Sequence, residues 1–250
     1  MDLNLNGKIA IVTGSSKGIG KSIAFSLINE GCKVVLNGRN KSNLKSMVKK
    51  MDNADYFVAD VTNPKECKKL VNYVIKKFGK IDILICNVGN GNSVKPGSET
   101  NTEWKNMIDV NFFSAINIID AAKKSLKKSK GAIICISSIA GIETTGAPVT
   151  YSISKTALIS YVKRISKPFA KEGIRINSVS PGNIYFKGST WDKKMKIEKN
   201  EVKKMLKNNV SLNRFGTPEE VSHIVTFLAS SKTSFVTGTN VVIDGGQIRS

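Results

Sequence analysis

The feature that most narrows what this chain can become is an alternation. Short, continuously apolar, β-branched runs are separated by longer amphipathic segments almost from end to end. The runs Lys8–Thr13, Lys33–Leu36, Tyr56–Val58, Ile81–Ile85, Ala132–Ser137, Arg175–Val179 and Asn240–Ile243 read as strands. Between them, Gly18–Glu30, Lys41–Lys50, Pro64–Phe78, Thr102–Leu126 and Tyr151–Lys171 read as helices, the fourth turning Met107, Phe112, Ala115 and Ile119 to one side. Thr217-Pro218-Glu219-Glu220 supplies an N-cap, a proline at the first helical position and a glutamate at the third, so another helix runs from there to about Ala229. Strands apolar on successive residues need cover on both faces. Strand–helix alternation therefore predicts an α/β fold, a doubly wound parallel sheet flanked by helices, with residues 1–250 as a single domain.

One segment breaks the alternation. Gly188–Asn209 is rich in lysine and carries Trp191, Met195, Ile197, Val202 and Leu206 at amphipathic helical spacing. It lies between a strand and the next helix, beside the carboxyl ends of the strands, where ligands of open α/β sheets sit. A helical lid over residues 185–210 is the expectation.

The first strand runs into Thr13-Gly14-Ser15-Ser16-Lys17-Gly18-Ile19-Gly20. Glycines here let the backbone turn tightly, and the helix that follows presents free N–H groups and a partial positive charge to a phosphate. A turn of this kind after the first strand marks a Rossmann-type dinucleotide site, although the spacing Gly-x-x-x-Gly-x-Gly differs from the commoner fingerprint. At the end of the second strand an acidic residue would pair with an adenosine ribose 2′-hydroxyl. Leu36-Asn37-Gly38-Arg39-Asn40 has no carboxylate. Arg39, helped by Lys17, suits a 2′-phosphate instead, so the expected cofactor is NADP(H).

Tyr151-Ser152-Ile153-Ser154-Lys155 opens a predicted helix and puts a phenol and an ammonium on one face. A free phenol has a pKa near 10, and a neighbouring cation favours its anion. Tyr151 is thus a candidate proton donor or acceptor with Lys155 lowering its pKa. Ser138 follows the strand ending at Ser137, and Asn111 lies on the preceding long helix.

Composition removes several alternatives. The formal net charge is +20, but only five of the 39 basic residues are arginines. Lysine spread over solvated faces argues against a dedicated nucleic-acid surface, which favours the two-pronged guanidinium. Cys32, Cys67, Cys86 and Cys135 form no Cys-x-x-Cys pair, and the single histidine, His223, falls in an apolar helix. Neither a zinc site, a disulfide scaffold nor a Ser-His-Asp hydrolase is supported, and no metal is expected. No apolar run approaches the length of a membrane helix and no cleavable leader is evident, so a cytoplasmic protein with reduced thiols is expected.

Together the glycine turn, Asp60-Val61, Asn87-Val88-Gly89, Asn111, Ser138, Tyr151, Lys155, Pro181-Gly182, Arg214-Phe215-Gly216-Thr217-Pro218-Glu219-Glu220-Val221 and Val236-Thr237-Gly238... Asp244-Gly245-Gly246 resemble, in order and across the chain, the short-chain dehydrogenase/reductase family. The resemblance is to its 3-oxoacyl-thioester reductase-like subgroup. It implies Tyr151 as general acid in reduction and base in oxidation, Ser138 orienting the substrate oxygen, and Lys155 holding the nicotinamide ribose. It further implies Asn111 supporting a proton-relay water, and a homo-oligomer, a tetramer or dimer. By the same resemblance Gly14, Ser16, Lys17, Gly18, Ile19, Gly20, Arg39, Asp60, Val61, Asn87, Gly89, Tyr151, Lys155, Pro181, Gly182 and Ile184 line the cofactor. Two positions depart from the family's habit. Cys86-Asn87-Val88-Gly89 replaces its usual Asn-Asn-Ala-Gly, and Tyr185-Phe186 stands where a threonine commonly anchors the carboxamide. Backbone groups around Ile184, or Ser189 and Thr190 on an infolded lid, are the replacements available.

The expected reaction is NADP(H)-dependent hydride transfer to or from a small-molecule carbonyl or alcohol carbon, with a 3-oxoacyl-thioester-like ketone as substrate. A keto-sugar or other anionic metabolite, and a non-catalytic NADP-binding regulatory protein, stand as the alternatives.

Overall fold

The structure is a computed structural model that describes residues 1–249. In chain order the elements are β1 (Ile9–Val12), α1 (Gly18–Asn29), β2 (Lys33–Gly38), α2 (Lys41–Val48), β3 (Ala54–Val58), α3 (Pro64–Phe78), β4 (Ile83–Cys86), α4 (Asn101–Ile108), α5 (Ser114–Ser129), β5 (Ala132–Ile136), α6 (Val149–Lys171), β6 (Arg175–Pro181), α7 (Thr190–Ile197), α8 (Lys199–Asn209), α9 (Pro218–Ala229) and β7 (Asn240–Ile243). The strands form one sheet in the order β3-β2-β1-β4-β5-β6-β7, with every neighbouring pair parallel. The winding reverses between β1 and β4, which opens a crevice at their carboxyl ends.

Alternating side chains of each central strand feed two apolar layers. Ile9 and Ile11 of β1 join the layer under α3, α5 and α6, while Ala10 and Val12 join the layer under α1, α2 and α9. The pairing of α1 with α9 is reinforced by hydrogen bonds from Ser22 to Ser222 (3.2 Å) and from Thr226 to Ser26 (2.9 Å). Thr217 and Glu220 complete the reciprocal capping box that starts α9. Among the described residues no helix is long and apolar enough to cross a membrane.

Besides shifts of one or two residues at several strand ends, such as β3 starting at Ala54 and β4 at Ile83, the structure departs from the sequence expectation in three places. The helix expected over Thr102–Leu126 is two helices, α4 and α5, joined by a π turn at Asp109–Phe113. There the Ser114 N–H reaches back five residues to the Asp109 carbonyl. Side chains serve carbonyls around that turn: the Ser114 hydroxyl donates to Val110 O (2.6 Å), and the Asn111 amide donates to Met107 O (3.0 Å). Next, α6 starts two residues ahead of Tyr151, directly after Pro148. Finally, the lysine-rich insertion is two short helices, α7 and α8, built on a small core of their own: Val202, Leu206 and Val210, flanked by Trp191, Met195, Met205 and Phe215.

Candidate active site

The site assembles at the carboxyl ends of β1, β4, β5 and β6. Gly14 has φ +60°, in the left-handed region that favours glycine. A Cβ on Gly20 would fall 2.4 Å from the Asn87 amide nitrogen and 2.5 Å from the Gly14 carbonyl oxygen, so the turn closes only around hydrogen there. Asn87 buckles β4 to this turn by donating to the carbonyls of Thr13 and Gly14 (both 3.1 Å). Ser15 staples it to β2 by exchanging hydrogen bonds with the Asn37 backbone. At the start of α1, Lys17 is the N-cap residue and offers no side-chain oxygen to the first-turn N–H groups. Those groups, with the exposed Lys17 ammonium beside them, form an anion cradle of the kind a pyrophosphate fits.

At the outer end of the crevice Arg39 is largely exposed (78%), and its guanidinium lies 3.6 Å from Asp60. Burial pushes the Asp60 carboxyl up, but hydrogen bonds from the Thr62 backbone and hydroxyl, together with Arg39, leave it below its ordinary value. Val61, by contrast, is buried with its side chain in the α3–α5 layer, and only its backbone can face a ligand.

At the inner end, Ser138 follows β5 and caps the short 3₁₀ turn Ile139–Gly141, accepting a bond from the Ala140 N–H (3.2 Å). Its hydroxyl also faces the Tyr151 phenol and acts to lower its pKa. Lys155, one helical turn along α6, is 3% exposed, and its ammonium donates to the Ile136 carbonyl (2.9 Å). The ammonium lies 5.8 Å from the Tyr151 ring centre. Gly89 abuts it so closely that a Cβ there would be 3.1 Å from both Lys155 Nζ and Asn111 Oδ1. Asn111, fully buried in the π turn, accepts from the Asn90 N–H (2.8 Å) and donates to the Asn90 carbonyl (3.0 Å). Tyr151, Ser138, Lys155 and Asn111 thus surround one point at the end of β5.

The electrostatics differ from the sequence expectation. Burial raises the Tyr151 phenol, and the opposing effect of the Ser138 hydroxyl does not cancel that rise. Burial likewise pulls the Lys155 ammonium down to about 8. The ammonium points at a main-chain carbonyl, and the protein groups alone do not make Tyr151 more acidic.

Several supports were not visible as motifs. The Ser137 hydroxyl donates to the Lys155 carbonyl (3.0 Å), and Thr156 donates to the Gly141 carbonyl (2.9 Å). Gly141 lets the 3₁₀ turn press on α6, since a Cβ there would sit 2.7 Å from the Lys155 carbonyl carbon. The glycine three residues after Ser138 was the one available signal. Ser189 is committed elsewhere, as N-cap of α7, where it accepts from the Asp192 N–H (3.0 Å). Trp191 stacks on Phe215 (5.4 Å between ring centres), inside the α7–α8 core. His223 is exposed on α9. A cavity of about 600 Å³ opens at the opposite, amino ends of the strands, beside Lys8, Asp82 and Arg175, and contains none of the residues singled out above.

A family model described as Enoyl-(Acyl carrier protein) reductase matches residues 14–247. The 3-oxoacyl-acyl-carrier-protein reductase FabG of Thermotoga maritima is 32% identical over 251 residues, covering 98% of this chain and 100% of that protein. The FabG of Rickettsia prowazekii is 34% identical over 250 residues, covering 98% and 99%. Among solved structures, a 7α-hydroxysteroid dehydrogenase complexed with NADH and 7-oxo glycochenodeoxycholic acid superposes with a TM-score of 0.91 at 27% identity, covering 100% of this chain and 97% of that one.

The buried ammonium has a thermodynamic consequence. Its value falls from 10.5 to about 8 on folding, a cost to the charged form of about 3 kcal/mol. Lys155→Met removes that cost and orphans the Ile136 carbonyl, a loss of about 1–2 kcal/mol. At pH 7 the variant is expected to be about 1–2 kcal/mol more stable in urea unfolding. The wild type should gain on it as pH rises from about 8 towards 10.5, where the ammonium is lost in both states. A variant less stable at pH 7 would contradict the burial cost.

Proposed function

Because this chain belongs to the short-chain dehydrogenase/reductase family, as its match to the family model and to full-length reductases shows, we propose that it is an NADP(H)-dependent oxidoreductase. In this reading it acts on a carbonyl or alcohol carbon, with a 3-oxoacyl-thioester-like ketone as substrate. The observation that carries the proposal is the buried Lys155 ammonium held on the Ile136 carbonyl (2.9 Å), with Tyr151 one helical turn away, its ring centre 5.8 Å from that ammonium, and Ser138 beside the phenol.

When bound, the nicotinamide supplies or receives the hydride. The protein's part is placement and proton transfer. Ser138 holds the substrate oxygen against Tyr151, and in reduction Tyr151 Oη gives its proton to that oxygen as negative charge develops on it. In oxidation the same oxygen takes the proton back. The Lys155 ammonium, fixed by the Ile136 carbonyl, keeps positive charge beside the phenol and faces the ribose. Asn111 sets the Asn90 backbone at the floor of the site and supports the water that relays protons.

The glycine turn, Lys17 and the α1 amides take the pyrophosphate, and Asp60 takes the adenine edge. Arg39, with no carboxylate at the end of β2 to oppose it, takes the 2′-phosphate. Ile184 supplies backbone for the carboxamide. Its bridge to Gly216 uses the Asn183 carbonyl and the Tyr185 N–H, so Ile184's own N–H and carbonyl point the other way, towards the crevice.

The FabG relatives, matched over nearly the whole chain, support a 3-oxoacyl thioester. Eight lysines between 187 and 207, against Asp192, Glu198 and Glu201, favour an anionic substrate, and a phosphorylated or carboxylated keto-metabolite is the second reading. We place α7 and α8 as the substrate lid and the whole chain as one domain. Phe113 (44% exposed) in the π turn before α5, and Val149 (37%) and Ile153 (48%) on α6, support assembly with further copies of the chain.

Tyr151→Phe should lower kcat by roughly 10²–10⁴-fold while NADPH affinity, read by fluorescence titration, stays within about twofold of wild type. Unchanged turnover with a 3-oxoacyl thioester would remove Tyr151 as the proton donor. Arg39→Asp should cut kcat/KM for NADPH by roughly 10- to 100-fold and raise that for NADH, as expected for loss of a charge-assisted bond worth about 1.5–3 kcal/mol. Equal loss with both cofactors would place Arg39 away from the 2′-phosphate.

A further inference from the structure

We propose that Phe186 is a gate on the glycine turn, and that cofactor enters by displacing its ring. The inference rests on the dinucleotide reading above and adds a step to it. Gly18, the first residue of α1, faces the tip of the Phe186 ring. A Cβ built on Gly18 would lie 2.5 Å from Phe186 Cζ, 2.7 Å from Cε2 and 2.8 Å from Cε1. The ring therefore abuts the edge of the turn that a pyrophosphate must approach to reach the first-turn amides of α1. An aromatic ring offers those N–H groups no acceptor comparable to a phosphate oxygen. Ring and phosphate compete for the same face.

The ring is held by the turn that carries it. The Ser189 N–H donates to the Phe186 carbonyl (2.9 Å), and the Phe186 N–H donates to the Ser189 hydroxyl (3.4 Å). Asp192, 6% exposed, ties the same turn together by accepting from the Tyr185 hydroxyl (2.8 Å), the Gly188 N–H (2.9 Å) and Lys196 (3.1 Å). Hydrogen bonds from Gly188, Tyr185 and Lys196 hold that carboxyl down at about 2 against the opposing effect of burial, so it stays charged and the turn behaves as one piece across the neutral pH range. Upstream, the Tyr185 N–H is pinned to the Gly216 carbonyl (2.9 Å). The backbone is thus fixed on both sides, and what remains free to move is the Phe186 side chain. The ring also packs on the apolar layer under α1, so its outward motion costs buried area and is slower than a free rotamer flip.

A gate of this kind lowers apparent affinity by the fraction of time it is open. It also makes association a two-step process. The test is stopped-flow mixing of the full-length protein with NADPH, read by nicotinamide fluorescence, together with an equilibrium titration of NADPH and of NADH. For the wild type the observed rate should level off as NADPH concentration rises. For Phe186→Ala it should rise linearly or level off at a rate at least about tenfold higher, and NADPH should bind about three- to tenfold more tightly. Phe186→Leu, which keeps an apolar side chain, should fall between them. A wild-type rate that stays linear in NADPH overturns the gate, and so does a Phe186→Ala variant that binds NADPH more weakly without faster association. The wild-type profile decides even if a variant fails to fold. Failure of the wild type to bind either nucleotide at equilibrium overturns the dinucleotide reading itself, an outcome distinct from binding with linear kinetics.

Discussion

The contact on which the site depends is the hydrogen bond from the Lys155 ammonium to the Ile136 carbonyl (2.9 Å). A lysine with 3% exposure is costly to bury, and it stays there because the strand end offers a carbonyl, Gly89 leaves room, and Ser137 anchors the Lys155 backbone. That contact, together with Leu158, Val162 and Phe169 in the apolar layer, sets the rotation of α6 against β5. Once α6 is fixed, Tyr151, one turn earlier, must come up beside Ser138, and Asn111 is held across from both through Asn90. The sheet reversal between β1 and β4 then brings the glycine turn to the other side of the same crevice. Phenol, ammonium and anion cradle form one site because α6, docked by its apolar face, carries a buried cation that the strand-end carbonyl receives.

Burial acts on the two titrating groups in opposite senses for one reason. It disfavours charge, so it raises the phenol and lowers the ammonium. The phenol thereby keeps its proton, and the ammonium stays near its midpoint just above neutral pH. A further positive charge brought against the phenol is what would tilt it towards its anion. The charge on the rest of the chain serves a different purpose. Lysines crowd the α7–α8 segment, while Arg39 and Lys17 lie at the glycine-turn end of the crevice; under the proposed function the first group draws an anionic substrate and the second the cofactor. Family membership fixes the class of chemistry, and these peripheral cations bear on which anion is drawn in.

Much of this was legible in the sequence, and what was not has physical causes. Strand–helix alternation, the glycine turn and the Tyr151–Lys155 spacing depend on period and on residue type, which a sequence displays directly. The π turn at Asp109–Phe113 was invisible because a single extra residue in a helical turn leaves the amphipathic pattern of Met107, Ala115 and Ile119 almost intact. The start of α6 at Val149 depends on Pro148 ending an extended approach. The sign of the Tyr151 shift was missed because helical spacing tells which residues share a face, while the partner of the ammonium is a carbonyl on a strand 19 residues earlier. Ser189 was a candidate for the carboxamide until its hydroxyl proved to be the cap of α7. Phe186 stood out in the sequence only as a departure from a threonine. Its place against Gly18 follows from the Asp192-centred turn, which brings together residues that are unremarkable one by one.

The central claim is that the protein alone holds Tyr151 neutral and that Lys155, acting with an added positive charge, makes it acidic. Ultraviolet difference titration of the phenolate, wild type minus Tyr151→Phe, measures this directly with and without NADP⁺ and again in Lys155→Met. The account predicts that Tyr151 titrates above its ordinary value of 10.0 in the protein alone, falls when NADP⁺ binds, and falls much less in Lys155→Met. A Tyr151 value that is already low in the protein alone, or that does not move when NADP⁺ binds, would contradict it.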